Sequence, residues 1–563
     1  MGLREILDQL TSRDGRVVLE LDLARGLVEV RPRNPLAALQ LLNATTVATL
    51  RDHLSQAAKD HRVAGLIVHA VECGQPMPVM EEVGDLIEEF GRHKPTVAWA
   101  ESYGELGNSL WAYLLATAAH KVWVQPSGDV GIGGAELNII LARGMLEKVG
   151  IQPQFGKRWE YKTAADQFAA EDVSDANREM MTRLGQSLVE DAVTTIARRR
   201  GMSVERVWEG VNDSPLTPER AQDLGLVDRI GYRDEVYDEA LEEWDGALDD
   251  LRFVHRYAAK GGLVKKLRRS TGGKVAVVSI RGGIVTGRGA QGPTGGESAG
   301  SDVVDEHLRA VLRDDSIRAV LLDIDSPGGS AVASDFMRRS VLRVRESGRP
   351  VVARMGSVAA SGGYYAAMGA DEIVAQASTL TGSIGVLAGK FVTAGLYEKL
   401  GLKRESIRIG ARAGMLSSAA GFSAEDWAKL DESLDRIYAT FTSLAAHDRG
   451  MEVDQLEALA KGRVWTGSDA AANGLVDHIG GWRLAYERAC ALADLDPATA
   501  TITRQSHVGL VERLMPVTSS ESRSNASVVS PLTGVDDLLV RAGALLGLPI
   551  HGALSLQGRI DVN

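Results

Sequence analysis

The 563-residue chain carries 63 Lys and Arg against 75 Asp and Glu, a net charge of −12, with 44% hydrophobic and 25% charged residues. That is enough apolar material for full cores in two or three domains, which excludes disorder and fibrous repeats, and the acidic balance argues against nucleic acid as the main partner. Only 5% of residues are aromatic while glycine numbers 61, a balance that suits a tightly wound α/β chain with many turns.

The first ten residues, Met1-Gly-Leu-Arg-Glu-Ile-Leu-Asp-Gln-Leu10, are charged every few positions and lack an apolar stretch before a small-residue cleavage site, so no secretory signal is expected. The two cysteines, Cys73 and Cys490, lie far apart in sequence and are expected as reduced thiols. The chain then repeats itself. Lys94-Pro-Thr-Val-Ala returns as Arg349-Pro-Val-Val-Ala after 255 positions, and Leu146-Glu-Lys-Val-Gly-Ile as Tyr397-Glu-Lys-Leu-Gly-Leu after 251. Ala221-Gln-Asp-Leu-Gly-Leu-Val-Asp-Arg-Ile-Gly231 returns as Ala470-Ala-Ala-Asn-Gly-Leu-Val-Asp-His-Ile-Gly480 after 249. A slowly drifting offset means small loop insertions in a duplicated domain, and predicts homologous domains over 1–255 and 275–500.

Between the copies, 256–274 holds Lys260, Lys265, Lys266, Arg268 and Arg269 and reads as a linker, either solvated or touching anionic lipid headgroups. Gly287 to Gly300 is glycine-rich and nearly free of apolar residues, which predicts a mobile loop. Next come a strand over Ala319 to Ile324, a helix from about Ala333, a strand from Val351, a helix after Ser361 and a strand over Glu372 to Ala375, a βαβ pattern. The tail, 501–563, turns to Ser, Val, Arg and Asn from Gln505 to Ser530, then to an amphipathic helix over Val535 to Ile550. Asp536, Asp537 and Arg541 interrupt that helix, and nowhere does an apolar run approach the ~20 residues that span a bilayer, so no transmembrane segment is expected. The helix would cover a groove of the protein or lie on a membrane surface.

Two turns carry candidate chemistry. Ser326-Pro-Gly-Gly329 follows a strand and precedes a helix, where backbone N–H groups can converge on an anion without a Cβ in the way; it reads equally as an ordinary turn. Ser361 sits at a strand-to-helix junction between Ala360 and Gly362, the layout of a nucleophile beside half of an oxyanion hole or of an N-cap serine with glycines for close packing. A serine needs a base, and His307, His447 and His478 each lie in a polar, helix- or turn-like context that does not build a triad. No His-Glu-x-x-His pattern or Cys/His cluster at ligand spacing points to a metal. A lysine base is left open; its pKa must fall from about 10.4 to about 7–8 by burial, at a cost of roughly 3–5 kcal/mol.

Ser326-Pro-Gly-Gly, Met355-Gly-Ser-Val-Ala-Ala-Ser-Gly-Gly-Tyr, Ser378-Thr-Leu-Thr-Gly-Ser-Ile-Gly385 and Val464-Trp-Thr-Gly-Ser-Asp-Ala-Ala-Ala-Asn-Gly-Leu-Val-Asp477, in this order, resemble the long, duplicated form of signal peptide peptidase A, also called protease IV. The resemblance runs over about residues 15 to 495. It implies an α/β fold of two tandem Clp-protease/crotonase-like (ββα superhelix) domains and a serine endopeptidase with a Ser-Lys dyad and no cofactor. By position in the motifs it implies Ser361 as nucleophile and Lys162, in Glu160-Tyr-Lys-Thr-Ala-Ala165, as base; Thr163 stands where the family has serine. It further implies Ser383 as the residue that hydrogen-bonds the lysine, and an oxyanion hole from Gly328 or Gly329 together with Gly362. Short apolar peptides such as cleaved signal peptides are the implied substrates, and a homotetramer the implied assembly. Family members of this length commonly carry an N-terminal membrane anchor; none is read here, so a cytoplasmic or peripheral membrane location is expected.

The duplication bears on this division of labour. Lys162 falls opposite Ala411-Arg-Ala413, and an arginine cannot deprotonate in the working range. Ser361 falls opposite Leu106-Gly-Asn-Ser-Leu110 and Pro327-Gly-Gly opposite Glu72-Cys-Gly74, so Ser109 lacks the Gly-Gly turn and one active site per chain is expected. Two rival readings are a crotonase-like acyl-CoA enzyme of the carboxyltransferase type, whose chemistry needs no serine nucleophile, and an inactive scaffold.

Overall fold

The computed structural model describes residues 15–29, 45–257, 272–289 and 298–504, together with the backbone of a short strand, Leu554–Ser555. Most of the basic linker, the stretch from Gln505 to Ser530 and the amphipathic segment from Val535 to Ile550 lie outside the described residues. The protein is mixed α/β and divides into two compact units. One takes the described residues up to Glu136 and those from Leu188 to Tyr257; the other takes Leu137 to Ser187 and those from 272 onward. The stretch carrying Lys162 therefore belongs to the same compact unit as Ser361, although the repeat assigns it to the first copy.

The same sheet is built in each unit. In the first, strands run in the order Arg229–Ile230, Lys121–Val124, Thr96–Ala100, Val63–His69, Val17–Asp22, Leu251–Phe253, all parallel. In the second the matching six strands run His478–Ile479, Glu372–Ala375, Val351–Ala360, Ile317–Ser326, Lys274–Arg281, Thr501–Arg504, again parallel, and two more extend the sheet: Leu380–Gly382 pairs parallel with Val351–Ala360 and takes Val464–Thr466 antiparallel. Parallel strands covered on both faces read as continuous apolar runs, which is why Ala319-Val-Leu-Leu announces its strand so plainly.

The central strand of the second unit carries a buried ionic cluster. Asp323, inside the central strand, accepts from Arg281 Nη2 at 2.7 Å and from Arg354 Nη1 at 3.0 Å. Burial alone would raise its carboxyl, but the two guanidiniums outweigh it and hold it well below the usual carboxylate range.

Three elements extend the expected pattern. The helix expected from Ala333 spans Ala331–Glu346, because Ser330 caps it by accepting the Ala333 N–H. The strand from Val351 runs on to Ala360, which delivers Ser361 directly from its end. Of the stretch expected as a mobile loop, 290–297 lies outside the described residues; at its end Ser298–Gly300 forms a strand parallel to Gly283–Val285, and Gly300 is the N-cap residue of the helix Ser301–Arg313. Gly300 serves close approach there, since a Cβ on it would lie 2.1 Å from the Arg288 carbonyl carbon. Cys73 and Cys490 are both free.

Candidate functional site

The second unit brings the candidate residues of both turns and the lysine together. Ser361 follows the strand Val351–Ala360 and precedes the helix Gly362–Ala367, and turns the chain at φ 54° and ψ −113°, a conformation that non-glycine residues rarely adopt. Its N–H donates to Gly382 O at 2.8 Å and its carbonyl accepts the Tyr365 N–H at 2.9 Å, so the strained turn is held from both sides. The residue is fully buried.

Lys162 arrives on a turn after a separate element. Strand Gln152–Arg158 pairs antiparallel with Val386–Val392, and the chain then folds over so that Lys162 N–H donates to Trp159 O at 3.3 Å. Gly462 packs against the lysine so closely that a Cβ there would come 2.5 Å from Lys162 N and Cβ. The lysine is 1% exposed. Its Nζ lies 2.8 Å from Ser361 Oγ, 2.9 Å from Ser383 O and 3.0 Å from Ser383 Oγ. Burial pushes its pKa well below the ordinary lysine value, with no charged neighbour contributing. Ser383, like Ser361, holds a positive φ, 51°, and is buried.

The glycines stand beside the serine. A Cβ on Gly362 would lie 3.1 Å from Gly329 N and 3.1 Å from Gly328 Cα, which places the Pro-Gly-Gly turn against the start of the serine's helix. Gly328 N–H donates to Ser326 Oγ at 3.2 Å, and Ser326 Oγ donates to Gly282 O at 2.7 Å. One edge of Gly328–Gly329 pairs with Gly283–Val285, and the other takes Leu554–Ser555 as an antiparallel strand, Gly328 opposite Ser555 and Gly329 opposite Leu554.

The first unit differs at the matching positions. Ser109 precedes the helix Leu110–Ala116 at φ −138°, and its hydroxyl donates to Glu72 Oε1 at 3.0 Å. It has neither the strained turn nor a lysine on its oxygen. Arg412, opposite Lys162 in the repeat, pairs with Asp426 at 3.1 Å. His447 is exposed beside Asp448 and His478 lies beside Glu372. Sequence reasoning missed Gly462, which packs against Lys162, and Arg463 and Glu179, which contact Tyr161 beside it; Tyr161 stood in the motif quoted for the lysine, and Arg463 directly precedes the Val464-Trp-Thr-Gly motif.

Three proteins similar to this chain over most of its length are named as proteases. "Serine protease SPPA, chloroplastic" of Arabidopsis thaliana is 34% identical over 87% of this chain and 71% of its own length. "Protease 4" of Salmonella typhi is 29% identical over 85% and 79%, and "Protease 4" of Haemophilus influenzae 28% over 79% and 73%. The protein is a serine-type peptidase. The model of peptidase family S49 matches residues 88–245 and 343–496, more than half of the chain, and the chain belongs to that family. The first matched segment contains Lys162 and the second Ser361 and Ser383. Among the described residues, no helix is long and apolar enough to cross a membrane.

Proposed function

We propose that the protein hydrolyses short apolar peptides, cleaved signal peptides among them, through a Ser361–Lys162 dyad and an acyl-enzyme. The observation that carries this reading is the fully buried lysine nitrogen 2.8 Å from a serine oxygen held at a strained strand-to-helix turn. A neutral amine has two N–H donors and one lone pair. The two oxygens of Ser383 accept the donors, which aims the lone pair at the Ser361 hydroxyl. Lys162 takes the Ser361 proton as Oγ attacks the peptide carbonyl carbon, and the ammonium then returns that proton to the leaving amine. Water attacks the acyl-enzyme with the same lysine as base.

The tetrahedral oxyanion forms beside Gly362, whose N–H opens the helix, and beside the Pro-Gly-Gly turn. The Gly328 N–H is already used by Ser326, which favours Gly329 as the second donor. The edge of Gly328–Gly329 that pairs antiparallel with the chain's own Leu554–Ser555 supports extended binding of a peptide, because it shows that this edge takes a strand. The parallel sheet built in each unit, with the Gly-Gly turn of the second, supports a Clp-protease/crotonase-like assignment. Assembly into a homotetramer belongs to the same proposal, supported by Ile407, Ile409 and Leu416, which are 89%, 91% and 67% exposed. The acyl-CoA reading gains nothing from a buried base on a serine, and that same pair argues against an inactive scaffold. Hydrolysis of an apolar peptide ester by wild type, Ser361→Ala and Lys162→Ala tests the reading: both variants are expected to be inactive, and full hydrolysis by either overturns it.

A further inference from the structure

One side chain and its carbonyl touch both supports of the lysine. Arg463 O accepts the N–H of Ser383 at 2.6 Å, and Ser383 is the residue whose two oxygens hold Lys162 Nζ. The Arg463 guanidinium carbon lies 4.7 Å from the ring centre of Tyr161, the residue before Lys162, and 4.6 Å from that of Trp465. Its Nη2 donates to Glu179 Oε1 at 2.8 Å, and the second oxygen of Glu179 accepts the Tyr161 hydroxyl. The Arg463 side chain is only 16% exposed while Glu179 is 54% exposed, so the guanidinium lies against the rings and its ion pair faces water.

The chain thus closes a ring: Lys162, Tyr161, the Arg463 guanidinium, the Arg463 carbonyl, Ser383, and back to Lys162. We propose that Arg463 is a positioning residue that ties the lysine-bearing turn to Ser383 and so sets the line from Lys162 Nζ to Ser361 Oγ. The inference rests on the Ser-Lys reading above. Planarity matters as well as charge, because a guanidinium stacks on two rings and still pairs with a carboxylate, whereas an ammonium does not reproduce that contact. The other charged groups of this turn are paired among themselves: Glu160 with Lys461, Lys157 with Asp166, and Arg158 with Asp431 and Asp435. None of them contributes to the lowered pKa of Lys162, which comes from burial. Loosening the turn would let water reach the amine and return its pKa toward the ordinary value.

The test is the pH dependence of kcat for peptide ester hydrolysis in Arg463→Ala, Arg463→Lys and Glu179→Ala, with thermal unfolding measured on each. In Arg463→Ala, kcat is expected to fall about tenfold or more with KM within about twofold, and the acid limb to move up by about half a pH unit or more. Arg463→Lys, which restores charge without the plane, should fall between it and wild type, and Glu179→Ala should move the limb in the same direction by less. Should Arg463→Ala fail to fold, the other two variants decide. An acid limb that stays in place, or a loss of kcat matched by the fraction unfolded, overturns the inference. Ser361→Ala run alongside separates the two levels: if it retains hydrolysis the dyad fails, and if it is inactive while the limb of the Arg463 variants stays put, only the positioning role fails.

Discussion

Gly462→Ala perturbs the dyad without touching either reacting atom. The new methyl carbon would sit 2.5 Å from both the nitrogen and the Cβ of Lys162. Carbon atoms rest about 3.5 Å apart or more, so the lysine backbone must retreat by about 1 Å. Nζ now stands 2.8 Å from Ser361 Oγ, at hydrogen-bond distance, and a retreat of that size breaks the contact. Misplacement of about 1 Å in a catalytic pair costs on the order of a hundredfold, about 2.7 kcal/mol of transition-state stabilisation. Gly462 also holds φ +86°, so alanine adds strain of roughly 1–2 kcal/mol to the fold. Steady-state hydrolysis of a peptide ester, beside thermal unfolding, should show a folded variant with kcat lowered about 30- to 100-fold and KM little changed. A folded variant with kcat within about threefold of wild type would refute the claim that contact at Gly462 places the lysine.

Other outcomes follow from the same geometry. Lys162 has a folded pKa below its unfolded value of about 10.4, so between the two the unfolded chain binds more protons and stability rises with pH. Lys162→Met should therefore raise the melting temperature while abolishing activity, with the gain largest at low pH and gone above about pH 10.4; a lowered melting temperature at pH 7 would contradict it. In the wild type, kcat/KM should rise through an acid limb lying well below the ordinary lysine pKa, and a limb near 10 in a pH-rate profile would show the lysine to be solvated. Gly362→Ala would bring a methyl carbon 2.6 Å from Ser334 Oγ and 3.1 Å from Gly329 N, and kcat should drop about 10²- to 10³-fold with Ser361 still present; retained kcat would remove the oxyanion role. Asp323→Ala leaves Arg281 and Arg354 without the carboxylate between them and should cost about 3–5 kcal/mol in denaturant unfolding, whereas a loss under about 1 kcal/mol would contradict its burial.

The chemistry-bearing turns were legible because small residues at strand ends have few other uses. Pro327-Gly-Gly and Ser361-Gly-Gly both occur where the chain must turn sharply beside a helix start, and the structure sets them against each other. The repeated sheet was legible from apolar runs such as Ala319-Val-Leu-Leu, which alternate with helices in both copies. What periodicity does not carry is which compact unit a segment joins. Lys162 precedes Ser361 by 199 residues, and its placement depends on the pairing of Gln152–Arg158 with Val386–Val392, a contact no local pattern encodes. The supports of the lysine were invisible for a related reason: Arg463 and Glu179 look like surface charges until their separation of 284 residues is closed by the fold. For Ser298–Gly300, the described end of the glycine-rich stretch, composition reports only freedom in the unfolded chain. It does not report that Gly300 is needed where two backbones nearly touch.

The central claim is that Lys162 activates Ser361, and the most direct measurement is the rate and site of labelling by a serine-reactive fluorophosphonate, read by mass spectrometry as a function of pH. The wild-type protein should label at Ser361 with a rate that rises as Lys162 loses its proton, at a pH well below 10; Lys162→Ala should label slowly and lose that dependence, and Ser361→Ala should not label. Labelling of Lys162→Ala at the wild-type rate, or adduct on a residue other than Ser361, would contradict it.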